Sequence, residues 1–167
     1  MAELTHQERL QPSLLDRLTD DTPDKSIESR EQRILSIRQL RQSVLRDLAW
    51  LLSASSLDTM VDLAAYPFVE HSVINYGTPL SSGTSVSSMD TVKIERKIKQ
   101  AILDFEPRIL AHSLTVKLVS DEGKMNQQAV FFTIEGELWA QPLPTHLFIR
   151  SSFDLETGEV TVKDLGG

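Results

Sequence analysis

The triplet Glu106-Pro107-Arg108 sets a carboxylate and a guanidinium two residues apart around a proline. Proline disfavours the helical region for the residue before it, which biases Glu106 toward extended backbone. In an extended stretch, side chains at i and i+2 point to the same side. Glu106 and Arg108 are therefore expected to be presented together. Such a pair can act in two ways. The arginine fork can grip a partner carboxylate or main-chain carbonyls in fixed geometry. Alternatively the two side chains form an exposed ion pair worth about 0–1 kcal/mol. A third use, with Glu106 as the acid of a glycoside hydrolase, needs a second carboxyl group roughly 5–10 Å away and a raised pKa. A neighbouring guanidinium favours the charged carboxylate, the opposite of what an acid needs. Asp104 would point around the preceding helix.

Other catalytic chemistry finds little footing. His6, His71, His112 and His146 are scattered, with no two at ligand spacing on one helix. The glycine-rich phosphate loops and the G-x-S-x-G elbow are absent. The 167 residues include no cysteine, which excludes disulfides, thiolate metal sites and a cysteine nucleophile. Seventeen basic against 24 acidic residues give a formal charge of −7, unsuited to binding nucleic acid or anionic lipid. The basic cluster Lys93, Arg96 and Lys97 therefore reads as a solvated helix face. The N-terminus lacks the basic and apolar regions of a secretory signal. No apolar run approaches the roughly 20 residues that span a bilayer. The expectation is a soluble, cytoplasmic chain with no cofactor, no metal and no membrane insertion.

The elements that must hold the triplet follow from periodicity. Residues 1–29 are polar and acidic, and read as a partly flexible arm. Leu10, Leu14, Leu15 and Leu18 give it one patch of helical spacing. This patch is either a frayed turn or a docking arm that orders on a partner. Residues 30–167 are expected to form a single α+β domain. Ile34, Ile37, Leu40, Val44, Leu48 and Leu51 stack on one helical face. Capping-box spacings at Ser29/Gln32 and Ser36/Gln39 allow two starts, of which Ser36 is preferred. Trp50 is expected to serve packing. Residues 54–89 are rich in turn signals and read as a long irregular connection, with 71–76 as a short extended segment. Asp90 is the expected N-cap of a second helix carrying Ile94, Ile98, Ala101, Ile102 and Phe105. Beyond residue 112, β-rich runs at 114–119, 130–139, 147–153 and 160–162 predict an antiparallel series, with Glu156–Glu159 as a tight turn. The fold expected is two main helices packed on a small antiparallel, or mixed, sheet.

Read in order, several segments carry a resemblance: Pro12–Leu18, Ser43–Leu52, Ser72–Gly77, Ile102–Ile109, Ile134–Trp139 and Asp154–Gly158. Together they resemble the small baseplate wedge proteins of contractile tails, historically labelled lysozyme-like, and within them the TssE components of type VI secretion systems. Ser53 stands where the resemblance leads one to expect asparagine. The resemblance implies a structural role without catalysis, in wedges with TssF, TssG and TssK beneath a sheath of TssB and TssC. It makes Glu106, Pro107 and Arg108 interface residues. It also implies that the first sheath ring continues the baseplate sheet by strand addition. Leu14, Leu15 and Leu18 join the expected interface as the apolar face of the arm. A peptidoglycan hydrolase remains the alternative.

Overall fold

The structure, a computed structural model, describes residues 13–19, 37–80, 90–119, 129–139 and 144–166. Ser13 opens a short helix, α1 (Leu14–Leu18), by accepting a hydrogen bond from Asp16 N. The apolar periodicity of the next segment becomes α2 (Ile37–Ser53), with Leu40, Val44, Leu48 and Leu51 buried as expected. Ile37 remains exposed. A one-turn helix, α3 (Pro67–Glu70), precedes α4 (Thr91–Phe105). Asp90 caps α4 by accepting from Lys93 N at 3.1 Å. The buried Ile94, Ile98, Ala101 and Ile102 sit at the spacing read from the sequence.

Four strands follow in chain order: β1 (Thr115–Val119), β2 (Ala129–Leu138), β3 (Thr145–Asp154) and β4 (Val160–Asp164). They form one antiparallel meander, β1-β2-β3-β4, so the mixed alternative drops out among the described residues. Period-2 alternation sends Val130, Phe132, Ile134 and Leu138 of β2 inward, with Leu147, Ile149 and Phe153 of β3. These side chains share one apolar cluster with the buried faces of α2 and α4. Each fully buried Leu, Ile or Phe contributes roughly 1.5–3 kcal/mol of transfer free energy. The architecture is α+β. The tight turn before β4 is present: Asp154 accepts from Glu156 N and Thr157 N, both at 2.8 Å, and Gly158 takes φ 75°.

Two expectations need correction. Residues 54–80 are the turn-rich connection the sequence indicates, but an ordered one. Their ends are joined by a parallel bridge, Ser55 to Thr78, with Thr78 N donating to Ala54 O at 2.8 Å and Ser56 N to Thr78 O at 3.0 Å. Between them lie α3 and two 3₁₀ turns, Leu57–Thr59 and Val73–Asn75. The expected extended segment at 71–76 is therefore one of these turns. Ser72 caps it by accepting from Ile74 N, a local bond that competes with strand pairing. Trp50, expected to pack inside, is 50% exposed, with the Arg46 guanidinium 5.0 Å from its ring centre. The arm before Ser13, the start of the long helix before Ile37, the serine-rich run at 81–85 and the 121–124 turn lie outside the described residues.

Candidate functional site

The exit of α4 positions the Glu-Pro-Arg triplet. Glu106 closes the helix through its N–H, which donates to Ile102 O at 2.8 Å. Its φ of −126° and ψ of 73° leave the helical region, as the following proline requires. After Pro107 the chain docks on the end of β2. Trp139 N donates to Arg108 O at 2.7 Å, and Leu110 N to Glu137 O at 2.8 Å. Main-chain bonds therefore hold Arg108 before its side chain makes any contact.

That side chain turns inward. Arg108 Nε donates to Glu106 Oε1 at 2.6 Å and Nη2 to Glu106 Oε2 at 2.5 Å, a bidentate pair. Nη2 also lies 2.5 Å from Asp47 Oδ2, and Nη1 donates to Ser43 Oγ at 3.0 Å. Glu106 is only 3% exposed. The pair is thus brought together, as the spacing predicted, but it is no exposed ion pair. It fastens the α4 exit to α2. Burial alone would lower the Arg108 pKa, yet the hydrogen bonds and charge of Glu106, and then of Asp47, outweigh it and raise the value. Both Glu106 oxygens are committed to Arg108, so neither is presented as a proton donor to a substrate. Pro107 stands exposed at the apex of the turn.

The network continues past the triplet. Asp47 Oδ1 accepts from Arg46 Nε at 2.9 Å, and Arg46 Nη1 reaches Asp16 Oδ1 on α1 at 2.5 Å. Asp16 in turn accepts from Ser13 Oγ at 2.7 Å. Burial raises the Asp16 pKa, but the hydrogen bond from Arg46 and the Ser13 bonds exceed that effect and lower it overall. One chain of alternating charges therefore runs from the arm, across α2, to the end of α4. Leu14, Leu15 and Leu18 lie exposed on α1 at its outer end. Sequence reasoning missed Ser43, Arg46, Asp47 and Asp16. The signal available was the i, i+4 spacing of Ser43 and Asp47, which places both on one face of α2.

The three histidines among the described residues do not converge. His71 Nδ1 pairs with Asp104 at 2.8 Å, His146 approaches Glu135 at 3.3 Å, and His112 lies 3.9 Å from Glu137. Asp104 is thus engaged by His71 and by Gln100 Nε2 at 2.9 Å. Among the described residues, no group of three or more His, Asp or Glu side chains is arranged to hold a metal ion. Among these same residues, no helix is long and apolar enough to cross a membrane.

Comparison with known families finds a match to the family described as baseplate wedge protein gp25, over residues 38–143. The chain belongs to this baseplate wedge family. No curated protein and no solved structure gives a significant match. The match covers α2, the stapled loop, α4, the triplet, β1 and β2. The family is structural, the class to which the TssE resemblance pointed. The buried Glu106–Arg108–Asp47 clamp lies wholly inside the matched region.

The wedge protein's sheet has two edges, and a helix meets each of them. At β1, the outward N–H of Leu118 donates to Glu95 Oε1 of α4 at 2.7 Å, so the helix engages that edge. At β4, Leu165 N pairs with Phe148 O and Asp154 N with Glu159 O. This alternation aims the main-chain groups of Thr161 and Lys163 at β3, and those of Val160, Val162 and Asp164 away from it. Arg41 ties the far end of β4 to α2 through Asp164.

Proposed function

We propose that this chain is a TssE-type baseplate component of a type VI secretion apparatus. It joins wedge proteins TssF, TssG and TssK to the first ring of the TssB–TssC sheath and helps nucleate sheath assembly in the cytoplasm, without catalysis. It is organised as an arm at 1–29 and one domain at 30–167. The observation that carries this reading is the outward main-chain edge of β4. An unpaired strand edge is an aggregation hazard that proteins normally block. Here α4 engages β1, while β4 keeps outward main-chain groups at Val160 and Val162. That geometry suits an added strand, which gains affinity through main-chain hydrogen bonds.

The turn built by Glu106, Pro107 and Arg108 is the proposed wedge contact. Pro107 is its exposed tip, and the buried pair beneath holds the turn in shape. Leu14, Leu15 and Leu18 supply a second contact on the arm. The test is Val162→Pro. Proline is tolerated on edge strands when its nitrogen faces away from the sheet, so the monomer should fold. The variant should still co-purify with TssF and TssG but fail to support sheath assembly. Normal sheath assembly by this variant would rule out strand addition at β4.

The hydrolase alternative loses its proposed acid, since both oxygens of the buried Glu106 are held by Arg108.

A further inference from the structure

The loop stapled at Ser55 and Thr78 displays apolar side chains outward. Phe68 is 92% exposed, Met60 86% and Val73 80%, with Tyr66, Ile74 and Val61 exposed beside them in sequence. Few large apolar side chains are exposed to this degree without a partner to cover them. The loop itself is firmly built. Asn75, buried among the three turns, accepts from Asp58 N at 3.0 Å and donates to Glu70 O at 2.8 Å. It thereby ties the Leu57–Thr59 turn, α3 and its own turn together. Tyr76 packs edge-on against Phe105 of α4, with ring centres 5.1 Å apart. The His71–Asp104 pair makes a second attachment to the same helix. These turns bury Leu63 and leave Met60, Phe68, Val73 and Ile74 outside.

Charge indicates what covers them. Residues 53–79 contain Asp58, Asp62 and Glu70 and neither lysine nor arginine. Of the α4 cations near the loop, Lys97 is paired with Asp58, and the charge of Lys93 also acts on Asp58, which leaves Asp62 and Glu70 to set the charge of the far side. An incoming segment must therefore supply apolar anchors, and gains by bordering them with positive charge. We infer that this loop is a preformed docking platform for an amphipathic segment of a neighbouring baseplate protein, its apolar side chains flanked by lysine or arginine. The inference rests on the assembly reading above, but uses a surface separate from the triplet, the arm and the β4 edge. Because the platform is already ordered, binding loses little to ordering the loop.

The absence of native cysteine makes the test direct. Val73→Cys in the full chain places one thiol on the platform. In the free monomer it should react with a maleimide at the rate of an exposed thiol. Purified TssF, TssG or TssK, added separately, should slow that reaction at least tenfold in one case. Phe68→Ser should weaken the same complex at least tenfold without moving the melting temperature, and Asp62→Lys with Glu70→Lys at least fivefold. Slow labelling in the free monomer would mean the chain covers its own loop. Slowing with protein concentration alone would mean a second copy does. Either result overturns the inference, as does a lowered melting temperature for Phe68→Ser. If the wild-type chain co-purifies with the wedge proteins while the thiol keeps its free rate, the inference falls and the assembly reading stands. If the wild-type chain binds none of them, both fall.

Discussion

Arg108 reaches across 61 residues of chain to Asp47, with Nη2 2.5 Å from Oδ2. The same nitrogen holds the buried Glu106. The guanidinium is therefore spent on the protein's own fold, and its removal leaves a carboxylate without its partner in the interior. Loss of one member of a buried pair costs about 3–5 kcal/mol, far more than loss of an exposed one. Arg108→Ala should accordingly destabilise the chain by about 3 kcal/mol in urea denaturation. Arg108→Lys, which keeps the charge but loses the fork, should fall between that variant and wild type. Stability equal to wild type in Arg108→Ala would show that the clamp does not support the fold. Any loss of wedge binding by this variant must be compared at temperatures where it remains folded.

Gly77 closes the stapled loop at φ 133°, and a Cβ there would lie 2.5 Å from Ala54 O. Backbone cannot give way cheaply on that side, because Ala54 O already accepts from Thr78 N. Gly77→Ala combines a disfavoured backbone region with a collision. It should cost about 2 kcal/mol or more and accelerate amide exchange across 54–78. Unchanged exchange there would mean that the bridge does not depend on this glycine.

Elements set by local rules were legible in the sequence. The faces of α2 and α4, the Asp90 cap and the four strand positions follow from apolar spacing and capping chemistry alone. The pairing of Glu106 with Arg108 was likewise readable from their separation around Pro107. The depth of that pair was not. It is created by Asp47 and Ser43, distant in sequence, when α2 comes to lie beside the α4 exit. The order of the stapled loop was hidden for a related reason. Its turn-rich composition resembles a slack connection, whereas its order comes from the side chain of Asn75 and the Ser55–Thr78 bridge. Trp50 was misplaced because its exposed ring is covered by Arg46 of the same helix, and residue type alone does not show such a contact.

His71 offers a titration that isolates one attachment of the loop. The hydrogen bond to Asp104, then the charge of Asp104, raise its pKa above the ordinary value of 6.5. A raised folded value means that the contribution to stability is full below the unfolded pKa, near 6.5, and fades as pH rises through the folded pKa. NMR titration should give a His71 midpoint above 6.5, and Asp104→Asn should return it toward that value. A midpoint at or below 6.5 in the wild-type chain would mean that the His71–Asp104 pair is not formed in solution.

Arg46 is the joint between the arm and the body. It bonds Asp16 at 2.5 Å and Asp47 at 2.8 Å, and its guanidinium lies over Trp50. Its side chain is partly solvated, so the pair with Asp16 should be worth less than about 1 kcal/mol and should weaken with salt. Arg46→Ala should thus leave the global melting temperature almost unchanged while releasing α1. Amide exchange at residues 15–19 should accelerate severalfold, and Trp50 emission should shift to longer wavelength as its ring loses its cover. Lowering pH should act in the same direction. The folded Asp16 pKa lies below 3.8, so its share of the attachment is present above that value and is lost as pH falls through the folded pKa. Exchange at α1 that is indifferent to both the substitution and acid would show that Arg46 does not hold the arm.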